Sequence, residues 1–116
     1  MKITKTNIEN LAESKVMIYK LTKAPSLSLQ KMDEEQLSQA YPVDAYLYYE
    51  DTNAKGETVN VLAILSGSVV LSTVGKTFID SFFEIAELMG NDPFAIRVYV
   101  GESKSKRRFF DCVLDC

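Results

Sequence analysis

The sequence predicts a mainly β chain: five strands wound into a Greek-key barrel, with one helix between the third and fourth strands. Three observations carry that expectation. Residues 43–50 (VDAYLYYE) alternate strictly, with Val43, Ala45, Leu47 and Tyr49 on one side and Asp44, Tyr46, Tyr48 and Glu50 on the other. The period then switches once, where Phe78, Ile79, Phe82, Phe83, Ile85, Ala86 and Met89 recur at helical spacing over one broad face. Beyond Gly90 and Pro93 it returns to two, turning Ile96, Val98 and Val100, and later Phe110, Cys112 and Leu114, inward.

Taken in order, residues 1–12 show no clear period and read as a loose lead-in. Residues 15–22 (KVMIYKLT) are rich in β-formers with apolar side chains on both faces, and predict a strand. Ala24-Pro25 breaks it, and residues 26–32 are expected to be extended. The acidic stretch 33–40 (DEEQLSQA) predicts a short helical turn that ends before Pro42. After the alternating strand, residues 51–57 (DTNAKGE) have the Asn, Gly and charge of a hairpin loop. Residues 58–65 form a buried strand, Ser66-Gly67-Ser68 a turn, and residues 69–74 continue extended. Thr77 is expected to cap the helix, with Asp80 three residues on, and Gly90 with Pro93 to stop it. Two strands, 94–100 and 108–115, flank a polar loop at 101–107 (GESKSKR). Strand–strand–strand–helix–strand–strand is the order of the OB-fold, whose barrel binds oligonucleotides on one face. A ferredoxin-like order needs a helix after the first strand, for which 33–40 is a weak candidate.

Size and composition bound the function. The 116 residues make a single domain, 1–116, and at 47% hydrophobic and 25% charged the chain is neither disordered nor fibrous. Its apolar runs, such as 61–65, fall far short of the ~20 residues of a membrane span, and no secretory signal follows Lys2 and Lys5; a cytoplasmic location is expected. Histidine is absent, which removes histidine triads and histidine acid–base chemistry and leaves a zinc site short of ligands. Cys112 and Cys116, ~13 Å apart along a strand, lie beyond the ~7 Å a disulfide tolerates. No enzyme activity, cofactor or metal is expected.

Net charge is −3, but it is segregated. Residues 1–31 hold six lysines against Glu9 and Glu13, and residues 97–116 hold five cations against three acids; the middle is strongly acidic. In the expected barrel the first strand pairs with the fourth, so the two basic ends share one side.

Several motifs have plainer readings. Gly75-Lys76-Thr77 precedes a helix, yet Val70 stands where a phosphate loop needs its first glycine. Asp33, Glu34 and Glu35 suit a helix's first turn, and Glu84 and Glu87 its solvent face. The sharper feature is the run 101–108. Arg97, Lys104, Lys106, Arg107 and Arg108 surround a single acid, Glu102, and the run abuts outward-facing Tyr99 and Phe109. Cations that track phosphates, interleaved with rings on which bases stack, are what a single-strand groove requires. Tyr46 and Tyr48, together on one face, are the second candidate pair for stacking; cross-strand stabilisation is the structural alternative. Phe82, Phe83 and Phe110 are expected in the core.

The segment STVGKTFIDSFFEIAELMG (72–90), followed by AIRVYVGESKSKRRFFDCVLD (95–115), resembles the small single-stranded DNA-binding proteins encoded by phages and plasmids of Gram-positive bacteria. The likeness lies in a Ser/Thr-rich lead, a helix with paired Phe, a Gly-Ser-Lys-x-x-Arg hairpin and an aromatic last strand. It implies an OB-fold, no catalysis, sequence-tolerant binding of single-stranded DNA, and a role in phage DNA replication or recombination in the host cytoplasm. It places Lys104, Lys106, Arg107 and Arg108 on the backbone, and Tyr99 and Phe109 beside the bases. Implied partners are single-stranded DNA, phage recombinase or replication proteins, and further copies of the chain as a dimer or tetramer. The alternative is an OB-type protein-interaction module whose tyrosine face docks a replication or recombination partner.

Overall fold

The computed structural model describes residues 2–23, 26–102, 104–105 and 108–116. The chain is mainly β, with eight strands and three α-helices among the described residues. Its centre is an antiparallel meander of β4 (Ala45–Thr52), β5 (Thr58–Ser66) and β6 (Val69–Thr73). The β5–β6 turn is tight because Gly67 takes a positive φ of 59°, and its amide donates to Asp44 Oδ2 at 2.6 Å. Next, α3 (Lys76–Met89) leads to a hairpin of β7 (Ala95–Glu102) and β8 (Arg108–Leu114). β3 (Ala40–Pro42) pairs antiparallel with β7.

The strands divide into two sheets. β4, β5 and β6 sit in a five-stranded sheet with β1 (Lys2–Thr6) on the β4 edge and β2 (Leu27–Ser28) on the β6 edge; β3, β7 and β8 form the other. The chain crosses between them in one step. The Val43 amide donates to Phe94 O at 2.9 Å, and the next amide, Asp44, donates to Leu65 O at 2.9 Å.

Neither sheet closes into the expected five-stranded barrel. The outer edge of β6 is taken by β2, which runs parallel to it with Leu27 opposite Leu71 and Ser28 opposite Ser72. A single 3₁₀ turn, Leu29–Lys31, follows, and its Leu29 is only 2% exposed. Residues 26–32, expected to be extended, are thus extended only at their start. β8 pairs with β7 alone.

Three further expectations are corrected. Residues 15–22 form a helix, α1 (Lys15–Thr22), instead of a strand. Met17, Ile18 and Leu21 lie on one helical face and pack on Leu47, Tyr49 and Ala63, and that burial outweighs the weak β preference of the segment. The lead-in is no loose tail, since β1 pairs with β4 from Lys2–Glu50 to Thr6–Leu47. Helix α3 begins at Lys76 with Gly75 as its cap, so Thr77 lies inside the first turn and makes no cap. By contrast α2 (Glu34–Leu37) is capped as its acidic sequence suggests. Asp33 Oδ1 accepts from the Gln36 amide at 2.8 Å, and Gln36 Oε1 accepts from the Asp33 amide at 3.0 Å.

Both faces of the central meander are buried. Leu62, Ile64 and Leu71 face α3, whose Phe78, Ile79, Phe82 and Ala86 fill the main core with Ile96, Val98 and Cys112. The alternate residues Leu47, Tyr49, Ala63 and Val70 face α1. No helix among the described residues is long and apolar enough to cross a membrane.

Cys112 gives a pH prediction. Burial, with the nearby Asp111 carboxylate adding to it, pushes its thiol from 9.0 to about 12. The neutral form is the one the fold keeps, so the linked stability is present below pH 9 and falls as pH rises toward 12. At pH 8 a thiol reagent is expected to label exposed Cys116 quickly and Cys112 only after denaturation. Two equally fast thiols in the folded protein refute this.

Candidate functional site

Tyr46 and Tyr48 share the face opposite Leu47 as expected, but that face is not open. Tyr46 lies edge-on to Phe82 and Phe83, with ring centroids 5.2 and 5.8 Å away, and Tyr48 lies edge-on to Phe83 at 5.3 Å. Both are half-buried under α3, and burial raises the Tyr46 hydroxyl above its ordinary pKa. Their rings serve the sheet–helix contact, because α3 covers one face of the strand while α1 covers the other. Phe83 is half-buried among them, with Lys5 Nζ 4.8 Å from its ring centroid.

Arg97 is also committed within the chain. Its Nε donates to Asp115 Oδ1 at 2.6 Å and one terminal nitrogen donates to Ser38 O at 2.7 Å, tying β7 to the chain after β8 and to the end of α2. It is a brace and not a free cation.

The two basic ends do not share one side through strand pairing. β7 pairs with β3, whereas the N-terminal segment supplies β1 and β2 to the other sheet. Lys15 and Lys20 stand on α1, on the face of the meander away from α3.

The β7–β8 hairpin keeps its expected orientation. Tyr99 is 55% exposed and Phe109 36%, with Val113 exposed on the same outward face. Phe109 lies directly across from Gly101, and a Cβ at Gly101 would run into the far edge of its ring. The missing side chain therefore lets the ring lie flat on the strand with its other side open, a glycine–aromatic cross-strand pair. Lys104 is exposed at the hairpin tip; Lys106 and Arg107 lie outside the described residues. Arg108 is exposed at the base of β8, its guanidinium carbon 5.7 Å from the Phe110 ring centroid.

Arg108, Phe109 and Phe110 line a trough of about 200 Å³ whose opposite wall is Gln30, Thr73, Gly75 and Thr77. It runs along the seam between β6 and β8. A second hollow of about 130 Å³ shares Gln30 and Thr73 with it and continues past Ser28, Val61, Ser72 and Val74. Together the two hollows are lined by one arginine, two phenylalanines, several hydroxyl-bearing residues and the side-chain-uncapped start of α3. Sequence reasoning named Arg108 and Phe109 on its wall, placed Phe110 in the core, and missed Gln30, Thr73 and Thr77. The Ser/Thr-rich lead into α3 was the available signal for the last two; nothing local marks Gln30, which arrives through the β2–β6 pairing.

No family model, no curated protein and no solved structure matches this chain.

Proposed function

We propose that this chain binds single-stranded DNA without sequence preference, on an opened OB-fold, and acts in phage DNA replication or recombination. The carrying observation is the trough at the β6–β8 seam, lined by Arg108, Phe109 and Phe110 on one wall and by Gln30, Thr73, Gly75 and Thr77 on the other. Cation, stacking surface and polar wall together are the elements of a single-strand groove.

Support for the OB reading comes from connectivity. With β3 and β4 taken as one first strand bent at Val43–Asp44, the order becomes first–second–third strand, helix, fourth–fifth strand. The fourth strand, β7, returns antiparallel to the start of the first, as a Greek-key barrel requires. The one pairing lacking is between β6 and β8, where β2 occupies the edge. OB-folds hold oligonucleotides on their second and third strands and the adjoining loops. Here α1 covers the outer face of β4 and β5, which directs a strand toward the end of β6 and the basic hairpin.

The test is fluorescence anisotropy with a labelled 30-mer and with its duplex at low salt. Tight binding of the single strand and much weaker binding of the duplex are expected. Equal affinity for both, or none for either, overturns the reading. Within that assay, Phe109→Ala is expected to weaken binding by ~1–3 kcal/mol, the worth of one base–ring stack. Gly101→Ala, which leaves the ring in place but pushes it off the strand, is expected to weaken binding in the same direction.

The second reading, an OB-type protein-interaction module, draws on the open side chains of Tyr99, Phe109 and Val113. It predicts no affinity for either nucleic acid.

A further inference from the structure

Two helices lie on opposite faces of one sheet and carry opposite charge. The buried face of α1 is Met17, Ile18 and Leu21; its solvent face presents Lys15, Tyr19, Lys20 and the capping Lys23, with no acid on the helix. Val16, 71% exposed, and Tyr19, 61% exposed, put an apolar centre between the lysines. On the other side of the meander, α3 turns Asp80, Glu84 and Glu87 to solvent along one helical stripe. Leu88 projects beside them, 79% exposed. Among the described residues the lysines and carboxylates of these two faces form no ion pairs. Each face thus carries an excess of one sign beside an exposed apolar group, Lys15, Lys20 and Lys23 against Glu13 on one and Asp80, Glu84 and Glu87 against Lys76 on the other, and the two excesses are opposite.

We propose that these faces are the two halves of a contact between copies of this chain, the basic face of α1 on one copy docking against the acidic face of α3 on the next. A second copy is favoured over other occupants because the chain itself displays the complement of each face. Symmetric contacts are disfavoured, since α1 against α1 sets lysines against lysines and α3 against α3 sets carboxylates against carboxylates. The contact is therefore heterologous. Because the faces point away from each other, every added copy leaves one basic and one acidic face free, and association continues as a chain of copies. The proposal stands apart from the nucleic-acid reading, since self-association is measured without DNA.

Sedimentation velocity of the whole chain at low salt is the experiment. The sedimentation coefficient is expected to rise with protein concentration and to fall back on adding 0.5 M salt, because the screening length shortens from about 10 Å at 0.1 M to about 4 Å at 0.5 M. Lys15→Glu with Lys20→Glu, and separately Glu84→Lys with Glu87→Lys, should each weaken association at least about 10-fold. Mixing the two variants restores opposite charges at every contact and should restore association. Circular dichroism of each variant, and the milder pair Glu84→Gln with Glu87→Gln, separate lost contact from lost fold. A wild type that stays monomeric, variants that associate as the wild type does, or folded variants that fail to associate when mixed each overturn the proposal. So does loss of affinity for a short oligonucleotide on reversing the α1 lysines with self-association unchanged, which assigns that face to nucleic acid.

Discussion

Phe82→Ala is expected to cost about 3–5 kcal/mol of folding stability, the usual range for removing a fully buried aromatic ring. Phe82 has no solvent exposure, and its ring meets those of Tyr46, Phe83 and Phe94. It joins the two sheets through α3, so the cavity left behind has walls from both and cannot collapse onto one. A small domain holds only about 5–15 kcal/mol in total, so the loss is a large fraction. Urea unfolding should show a lower midpoint with an unchanged slope, while the exposed neighbour Glu84→Ala should shift stability by no more than about 0.5 kcal/mol. A Phe82→Ala loss below 1 kcal/mol contradicts the packing described.

The second large effect concerns the salt dependence of strand binding. Replacing Lys104, Lys106, Arg107 and Arg108 together with Gln should flatten the slope of log affinity against log salt by up to ~2.8, at ~0.7 per phosphate on single strands. Affinity should fall alike for all sequences, because phosphate contacts carry no base information. Arg97→Gln is the contrasting variant. Its guanidinium is held by Asp115 and the Ser38 carbonyl, so the salt slope should stay the same while stability falls modestly. Equal slopes for the quadruple variant and the wild type remove the hairpin from the binding surface; a flattened slope for Arg97→Gln shows that the brace opens when DNA binds.

The elements that were legible in the sequence are those whose periodicity reports a single environment. α3, β7 and β8 each bury chiefly one side of a regular pattern, and β4 keeps its strict alternation although both its faces are covered; each occurs where the pattern places it. α1 was not legible because KVMIYKLT mixes β-branched and aromatic residues with a helical spacing of Met17, Ile18 and Leu21 that only becomes decisive once a sheet lies beneath it. β1 has one apolar residue of its five, Ile3, and its lysines suit an edge strand, so its pairing depends on β4. The same limit explains the tyrosines. Alternation puts Tyr46 and Tyr48 on one face, but whether that face meets water depends on α3, which sits some thirty residues later. Arg97 looked free because its carboxylate, Asp115, is 18 residues away. Tyr99 and Phe109 face outward as alternation places them, because that side of β7 and β8 stays exposed.

The placement of β1, α1 and β2 has a consequence for the order of events during synthesis. All three come from the first 28 residues, yet their partners are β4, β5 and β6. The Thr6 hydroxyl bonds Tyr46 O across 40 residues, and the Ser26 hydroxyl meets that of Ser72 across 46. This segment, made ahead of the meander, therefore waits, exposing Met17, Ile18, Leu21 and Leu29, until the meander has been made. Contacts so distant in sequence close late. In the finished fold the N-terminal segment is a wrap, laid along both edges of the meander and over the face that α1 covers.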